Sequence, residues 1–204
     1  MTAVVAGPDL ALDVIFSIDG QALPVDHAQA LQTALCQVFP WLQTDAVAAV
    51  LPLKRVTGDD GHSLVSKRSK LILRIQHSRL PDIMAARSIE LAVAGCRLRL
   101  TNPHPRALQP HATLYAYRVA ATGADEVAFM EEVNQQLAQM SVRGERVCGK
   151  RSQMTIAGQP VVTFSLMLHG LPPDQSLRLQ NFGLGPHRLL GCGVFVPHKS
   201  AAAV

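Results

Sequence analysis

Leu10-Ala11-Leu12-Asp13-Val14-Ile15-Phe16-Ser17-Ile18 decides the fold. Leu10, Leu12, Val14, Phe16 and Ile18 recur at every second position, the period of a strand with one face against a core. From Pro24 the period changes. Ala28, Leu31, Ala34, Leu35 and Val38 follow helical spacing up to Pro40, and Asp26 with Gln29 three residues later fits a capping box that makes His27 the first helical residue. Beyond this strand–helix pair, residues 47–56 read as a second strand and Gly58-Asp59-Asp60-Gly61 as a turn. Residues 68–75 read as a third strand with Leu71, Leu73 and Ile75 facing one way. Leu80, Ile83, Met84, Ser88 and Leu91 form a helical stripe opened by Pro81 and closed near Gly95, and residues 96–101 are a fourth strand. The order β-α-β-β-α-β is the ferredoxin-like split unit.

The same order recurs after a Pro-rich stretch, Asn102 to Pro110. Residues 112–121 are a strand, and 125–140 a helix with Phe129, Met130, Val133, Leu137 and Met140 on one face. A hairpin runs from Met154–Ile156 through Ala157-Gly158-Gln159 to Val161–Leu168, with Val162, Phe164, Leu166 and Leu168 as its core side. A short helix follows over 173–182, and Gly193–Val196 is a last strand. The expectation is an α+β chain of two tandem ferredoxin-like (βαββαβ) domains, residues 8–102 and 112–200, joined by a linker over 103–111. The 204 residues suffice for two small domains with real cores.

Charge is uneven. Residues 1–53 carry five aspartates and no Lys or Arg, whereas 54–118 carry twelve Lys/Arg against four acids. Such a localised positive field suits a polyanion. Opposite the core side of strand 68–75 lie Arg68, Lys70, Ile72 and Arg74; Arg97 and Arg99 lie opposite Leu98 and Leu100. With helices behind the sheet, these residues are expected on one open face of two neighbouring strands. No aromatic lies on either strand, which favours backbone and shape recognition of structured RNA over base stacking. Further cations, Arg143, Arg146, Lys150 and Arg151, and Lys67 before the third strand, extend the expected phosphate-binding set. No apolar run is long enough to span a membrane and the start lacks a basic n-region, so a soluble, cytoplasmic protein is expected. Cys36, Cys96, Cys148 and Cys192 form no CxxC pair and read as reduced thiols; no metal site or cofactor is expected.

Residues 182–196, Phe-Gly-Leu-Gly-Pro-His-Arg-Leu-Leu-Gly-Cys-Gly-Val-Phe-Val, place Gly183, Gly185, Gly191 and Gly193 around His187 and Arg188. Such a loop can bring backbone N–H groups to phosphate oxygens, or can be a tight connection that needs positive φ. It is no P-loop, since no Gly-Lys-Ser/Thr follows.

A two-domain chain of this length ending in Gly-Leu-Gly-x-x-Arg-x-x-Gly-Cys-Gly-x-Phe resembles the CRISPR repeat-cleaving endoribonucleases, in particular their short branch. Pro24 to Leu31 is similar to that branch's first-helix motif, Lys67 to Arg74 to its basic strand, and Gln109 to Tyr115 to the start of its second half. The resemblance implies metal-independent cutting of CRISPR precursor RNA within its repeats, a 2′,3′-cyclic phosphate, and retention on the product hairpin within an interference complex. It assigns His27 as the acid–base residue. Several family members add a tyrosine and a lysine; here the first half has no tyrosine and the first helix no lysine.

The chemistry fits these residue types. The RNA supplies its own nucleophile, the 2′-hydroxyl, so a histidine that exchanges protons near neutrality and fixed cations suffice. The positive potential at a helix N-terminus favours a neutral His27. Arg68 and Lys70 are the candidate cations; Ser69 is a weaker candidate, because alternation turns it toward the core. The other readings are a non-catalytic RNA-binding subunit and a tandem module for a small ligand or protein.

Overall fold

The computed structural model describes residues 10–20, 22–24, 26–53, 56–57, 62–64 and 69–198. The first half runs β1 (Ala11–Asp19), β2 (Ala22–Pro24), α1 (Ala28–Val38), β3 (Ala49–Val50), β4 (Val56–Thr57), β5 (His62–Leu64), β6 (Lys70–Gln76), α2 (Leu80–Ala85), β7 (Ser88–Val93) and β8 (Cys96–Ala107). The second half runs β9 (Leu114–Ala120), α3 (Glu126–Gln139), β10 (Glu145–Ile156), β11 (Gln159–His169), α4 (Pro173–Phe182) and β12 (Val196–Pro197). The sheets are ordered β3-β6-β1-β8-β7 and β10-β11-β9-β12, and β2-β5-β4 form a small third sheet. Both main sheets contain the ferredoxin-like order, and the first adds β7 at its edge. The two-unit α+β architecture is as the residue pattern implies.

Alternation builds each core. Leu12, Val14, Phe16 and Ile18 of β1 pack with Leu71, Leu73 and Ile75 of β6 against Leu31, Ala34 and Leu35 of α1 and Ile83 of α2. In the second half Leu114, Ala116, Phe164, Leu166 and Leu168 meet Phe129, Val133 and Leu137 of α3 and Leu179 of α4. Asp125 caps α3, accepting from Ala128 N at 2.9 Å.

Several elements differ from the sequence expectation. The helix expected to run to Leu91 ends at Ala85. Ile89, Leu91 and Val93 are buried while Ser88, Glu90 and Ala92 are exposed, a period of two that makes β7. Ala94 and Gly95 both have positive φ and close a two-residue hairpin into β8. Within the strand expected over 47–56, Ala49–Val50 form β3 and Val56 opens β4; Pro52 cannot donate to a ladder, and residues 54–55 lie outside the described residues. The linker expected over 103–111 is strand as far as Ala107, with Leu12 opposite Ala107 and Val14 opposite Pro105. Among the described residues β8 has β1 alone as neighbour beyond Thr101, the edge situation in which prolines are tolerated. β10 starts at Glu145, well before Met154. The turn at 58–61 lies outside the described residues.

Candidate functional site

The site is built where the N-terminus of α1 meets the second domain. Ala28 packs with Ile156 and Val161 onto Ala120, Met154, Leu190 and Cys192. Gln29 Oε1 accepts from Ala157 N, in the β10–β11 turn, at 3.0 Å. His27 is the N-cap residue of α1, not its first helical residue, and makes no side-chain cap; Asp26 lies one position earlier and exposed, so the capping box does not form. His27 is 7% exposed. Its Nδ1 lies 2.8 Å from Pro24 O. A carbonyl only accepts, so Nδ1 carries the proton, and in the neutral ring Nε2 is the basic nitrogen.

The expected cation set divides sharply. Lys67 and Arg68 lie outside the described residues. Ser69 is half-buried, and Lys70 is exposed with Nζ donating to Ser17 Oγ at 2.9 Å. Ser17, paired with Lys70, is near the end of β1 from which the chain leads on to β2 and α1. Arg97 and Arg99 are exposed, but β1 separates β8 from β6, so the two strands are not neighbours. Arg99 pairs with Glu90 at 2.9 Å and stands opposite Asp19. Arg143, Arg146, Lys150 and Arg151 are exposed; the last three line β10, an edge strand.

Arg74 overturns its expected place on an open face. It is 1% exposed. Nε donates to Asp13 Oδ1 at 2.8 Å, and Nη1 donates to Gln180 O and Phe195 O at 2.9 and 3.0 Å. The second domain covers this part of the first sheet: Ala49, Leu51 and Ile72 pack with Val194 and Val196, and Ala11 N donates to Asn181 Oδ1 at 3.0 Å. Asp13 also accepts from Arg106 at 3.0 Å. Arg188 crosses the junction the other way, Nη1 donating to Ala46 O at 3.3 Å and Phe182 O at 2.6 Å. Arg188 is buried, which pushes its guanidinium down to about 10, and Nε and Nη2 have no partner among the described residues. Neither arginine is a surface phosphate contact; together they bind the domains to each other.

The glycine-rich loop takes the structural of its two readings. Gly183, Gly185, Gly191 and Gly193 all have positive φ. Their N–H groups are committed within the protein, to Leu179 O, Gln136 Oε1, Arg188 O and Arg118 O respectively. A Cβ on Gly193 would collide with Leu184 O, and one on Gly183 with Gly193 O. These glycines therefore close the connection and present no N–H to phosphate. His187 alone of the loop's expected RNA contacts is exposed, at φ 68°, its carbonyl accepting from Leu190 and Cys192.

The junction groups missed by sequence reasoning include Asp13, Gln29, Ala46, Gln180, Asn181 and Phe195. Asp13 did leave a signal: a carboxylate inside an apolar strand must find a buried partner. Among the described residues the four cysteines form no disulfide; Cys36 and Cys192 are buried. Among the described residues no helix is long and apolar enough to cross a membrane.

The family model described as Cas6 Crispr matches residues 12–200, both domains and the loop. The chain belongs to the Cas6 family. It is similar to the CRISPR-associated endonuclease Cas6 of Myxococcus xanthus (strain DK1622), 34% identical over 194 residues that cover 95% of this chain and 84% of that protein. Among solved structures, a CRISPR-associated Cas6 protein superposes with a TM-score of 0.68 at 10% identity, over 93% of this chain and 100% of the other. A Thermus thermophilus Cse3 bound to an RNA representing a pre-cleavage complex superposes with a TM-score of 0.50 at 14% identity, over 92% and 98%. At these identities the structural matches establish the fold, which is the Cas6 fold.

Proposed function

We infer that this Cas6 protein is the endoribonuclease that cuts CRISPR precursor RNA within its repeats, and that it does so through the RNA's own 2′-hydroxyl. The observation that carries the activity is the family match across both domains, joined to a relative named as an endonuclease. The chemistry is argued from the chain's own groups. The Pro24 carbonyl orients the His27 ring, and Nε2 takes the 2′-hydroxyl proton. The 2′-oxygen attacks phosphorus, the bond to the 5′-oxygen breaks, that oxygen takes a proton from solvent water, and His27 gives the proton it took back to solvent. The products are a 2′,3′-cyclic phosphate and a 5′-hydroxyl. Lys70, with Arg68 two residues earlier, supplies positive charge for the crowded phosphate. The exposed cations of β10 and His187 meet the phosphates of a repeat hairpin, and Arg97 adds to the field.

The direct experiment compares a repeat RNA with the same RNA carrying one 2′-deoxy nucleotide at the cut position. Cleavage of the first and intact binding without cleavage of the second, in the presence of a chelator, is the expected result. Cleavage of the deoxy substrate, or a requirement for Mg²⁺, contradicts the mechanism.

A further inference from the structure

β9 and β10 both bulge against one residue of β11. In β9, Ala116 faces Leu166 and Val119 faces Phe164, so Tyr117 and Arg118 together oppose Ser165. In β10, Cys148 faces Leu166 and Arg151 faces Phe164, so Gly149 and Lys150 oppose the same Ser165. A bulge re-aims the side chains it contains. This one is tightly seated, since a Cβ on Gly149 would run into Ser165 Oγ. Residues sharing Ser165 as partner share its side of the sheet, away from α3 and α4, which pack on Phe164, Leu166 and Leu168. The paired bulges thus bring an aromatic ring and two cations, Tyr117, Arg118 and Lys150, to one level of that face, Tyr117 and Lys150 exposed and Arg118 half-buried, beside the part of it that Ala28 of α1 covers.

The neighbouring row continues this surface. Val147, Met167, Tyr115 and Val196 stand opposite one another across all four strands. Tyr115 meets Tyr117 edge-on at 5.0 Å between centroids and His198 at 5.4 Å. Tyr117 is 53% exposed and Val147 47%. One end of the row, Val196, packs at the domain junction with Ile72; the other reaches the basic edge strand β10. An exposed ring supported edge-on by a second ring, with cations beside it, is the chemistry that holds an unpaired nucleotide: the base stacks and the phosphates meet the charges.

We propose that the open face of the second sheet is a stacking platform for unpaired nucleotides of the RNA, with Tyr117 as the stacking residue, Tyr115 as its support, and Arg118 and Lys150 as the phosphate contacts. This rests on the reading of the chain as a repeat-RNA endonuclease. The platform adds base stacking to the backbone recognition expected from the first domain, and it acts on single strand flanking a hairpin rather than on the stem.

The test measures affinity for a repeat hairpin carrying unpaired flanks and for the same hairpin trimmed to its stem-loop, with wild type, Tyr117→Leu and Tyr117→Phe. Stacking on an aromatic is worth roughly 5- to 150-fold per base. Tyr117→Leu should lose affinity in that range for the flanked RNA alone, Tyr117→Phe should retain it, and 2-aminopurine in the flank should be quenched on binding wild type. Equal affinities of wild type and Tyr117→Leu for the flanked RNA, or an unquenched probe in wild type, overturn the platform while leaving the nuclease assignment intact if wild type still cleaves. Wild type that neither binds nor cleaves repeat RNA overturns both.

Discussion

Arg74→Ala distinguishes a domain clamp from an RNA contact. In the native protein the Arg74 guanidinium holds Asp13 and two carbonyls of the other domain, Gln180 and Phe195. Removing it leaves Asp13, itself 3% exposed, with Arg106 as its remaining cation and orphans both carbonyls. Breaking a buried pair from one side costs about 3–5 kcal/mol. At about 2–4 °C per kcal/mol for a chain of this size, the melting temperature should fall by roughly 6–20 °C. Asp13→Leu/Arg74→Met should recover part of that loss, because it removes the stranded charge along with its partner. The assay is thermal unfolding without RNA at neutral pH, with RNA affinity followed against salt for the folded variant. A melting temperature within about 1 °C of wild type, together with a salt slope reduced by about one, would refute the clamp and restore Arg74 as a phosphate contact.

The glycine-rich loop should respond in the same currency. Gly191→Ala, at φ 82° with Pro52 Cγ and Val50 O 3.4 Å from the new Cβ, should cost about 1–2 kcal/mol in denaturant unfolding, and Gly193→Ala more, with RNA affinity of the folded protein unchanged. Loss of affinity at unchanged stability would return the loop to phosphate binding. Burial pushes the Cys192 thiol from 9.0 up to about 11, so between those values the native state keeps a proton that the unfolded state releases. Stability should therefore be insensitive to this thiol below pH 9 and fall as pH rises toward 11, less steeply in Cys192→Ala; identical pH slopes in the two proteins would contradict that burial.

The period-two strands and the helical stripes of α1 and α3 were legible because each buries one face against its own domain's core. Burial by the other domain was not. Alternation places Arg74 on the side of β6 away from α1, and that is where it lies; what covers that side is the C-terminal segment, more than a hundred residues away in sequence. The same blindness made Arg188 and the glycines read as ligand groups. Ser88–Val93 failed for a local reason: Leu80, Ile83, Ser88 and Leu91 fit helical spacing, while Ile89, Leu91 and Val93 fit strand spacing, and pairing with β8 decided between them. At the site, His27 was reached through the likeness of Pro24 to Leu31 to a family motif, because a histidine before a helix has no periodic signature of its own. The alignment of two bulges at Ser165 depends on register, which a single sequence does not carry.

His27 is the proposed acid–base residue, and single-turnover cleavage of a repeat RNA by His27→Ala at saturating protein tests it most directly. Loss of one acid–base group predicts a rate lowered by about 10²–10⁴ with the RNA affinity of wild type. Wild-type cleavage by His27→Ala would show that another group takes the 2′-hydroxyl proton, and joint loss of binding and stability would make His27 a buried structural residue instead.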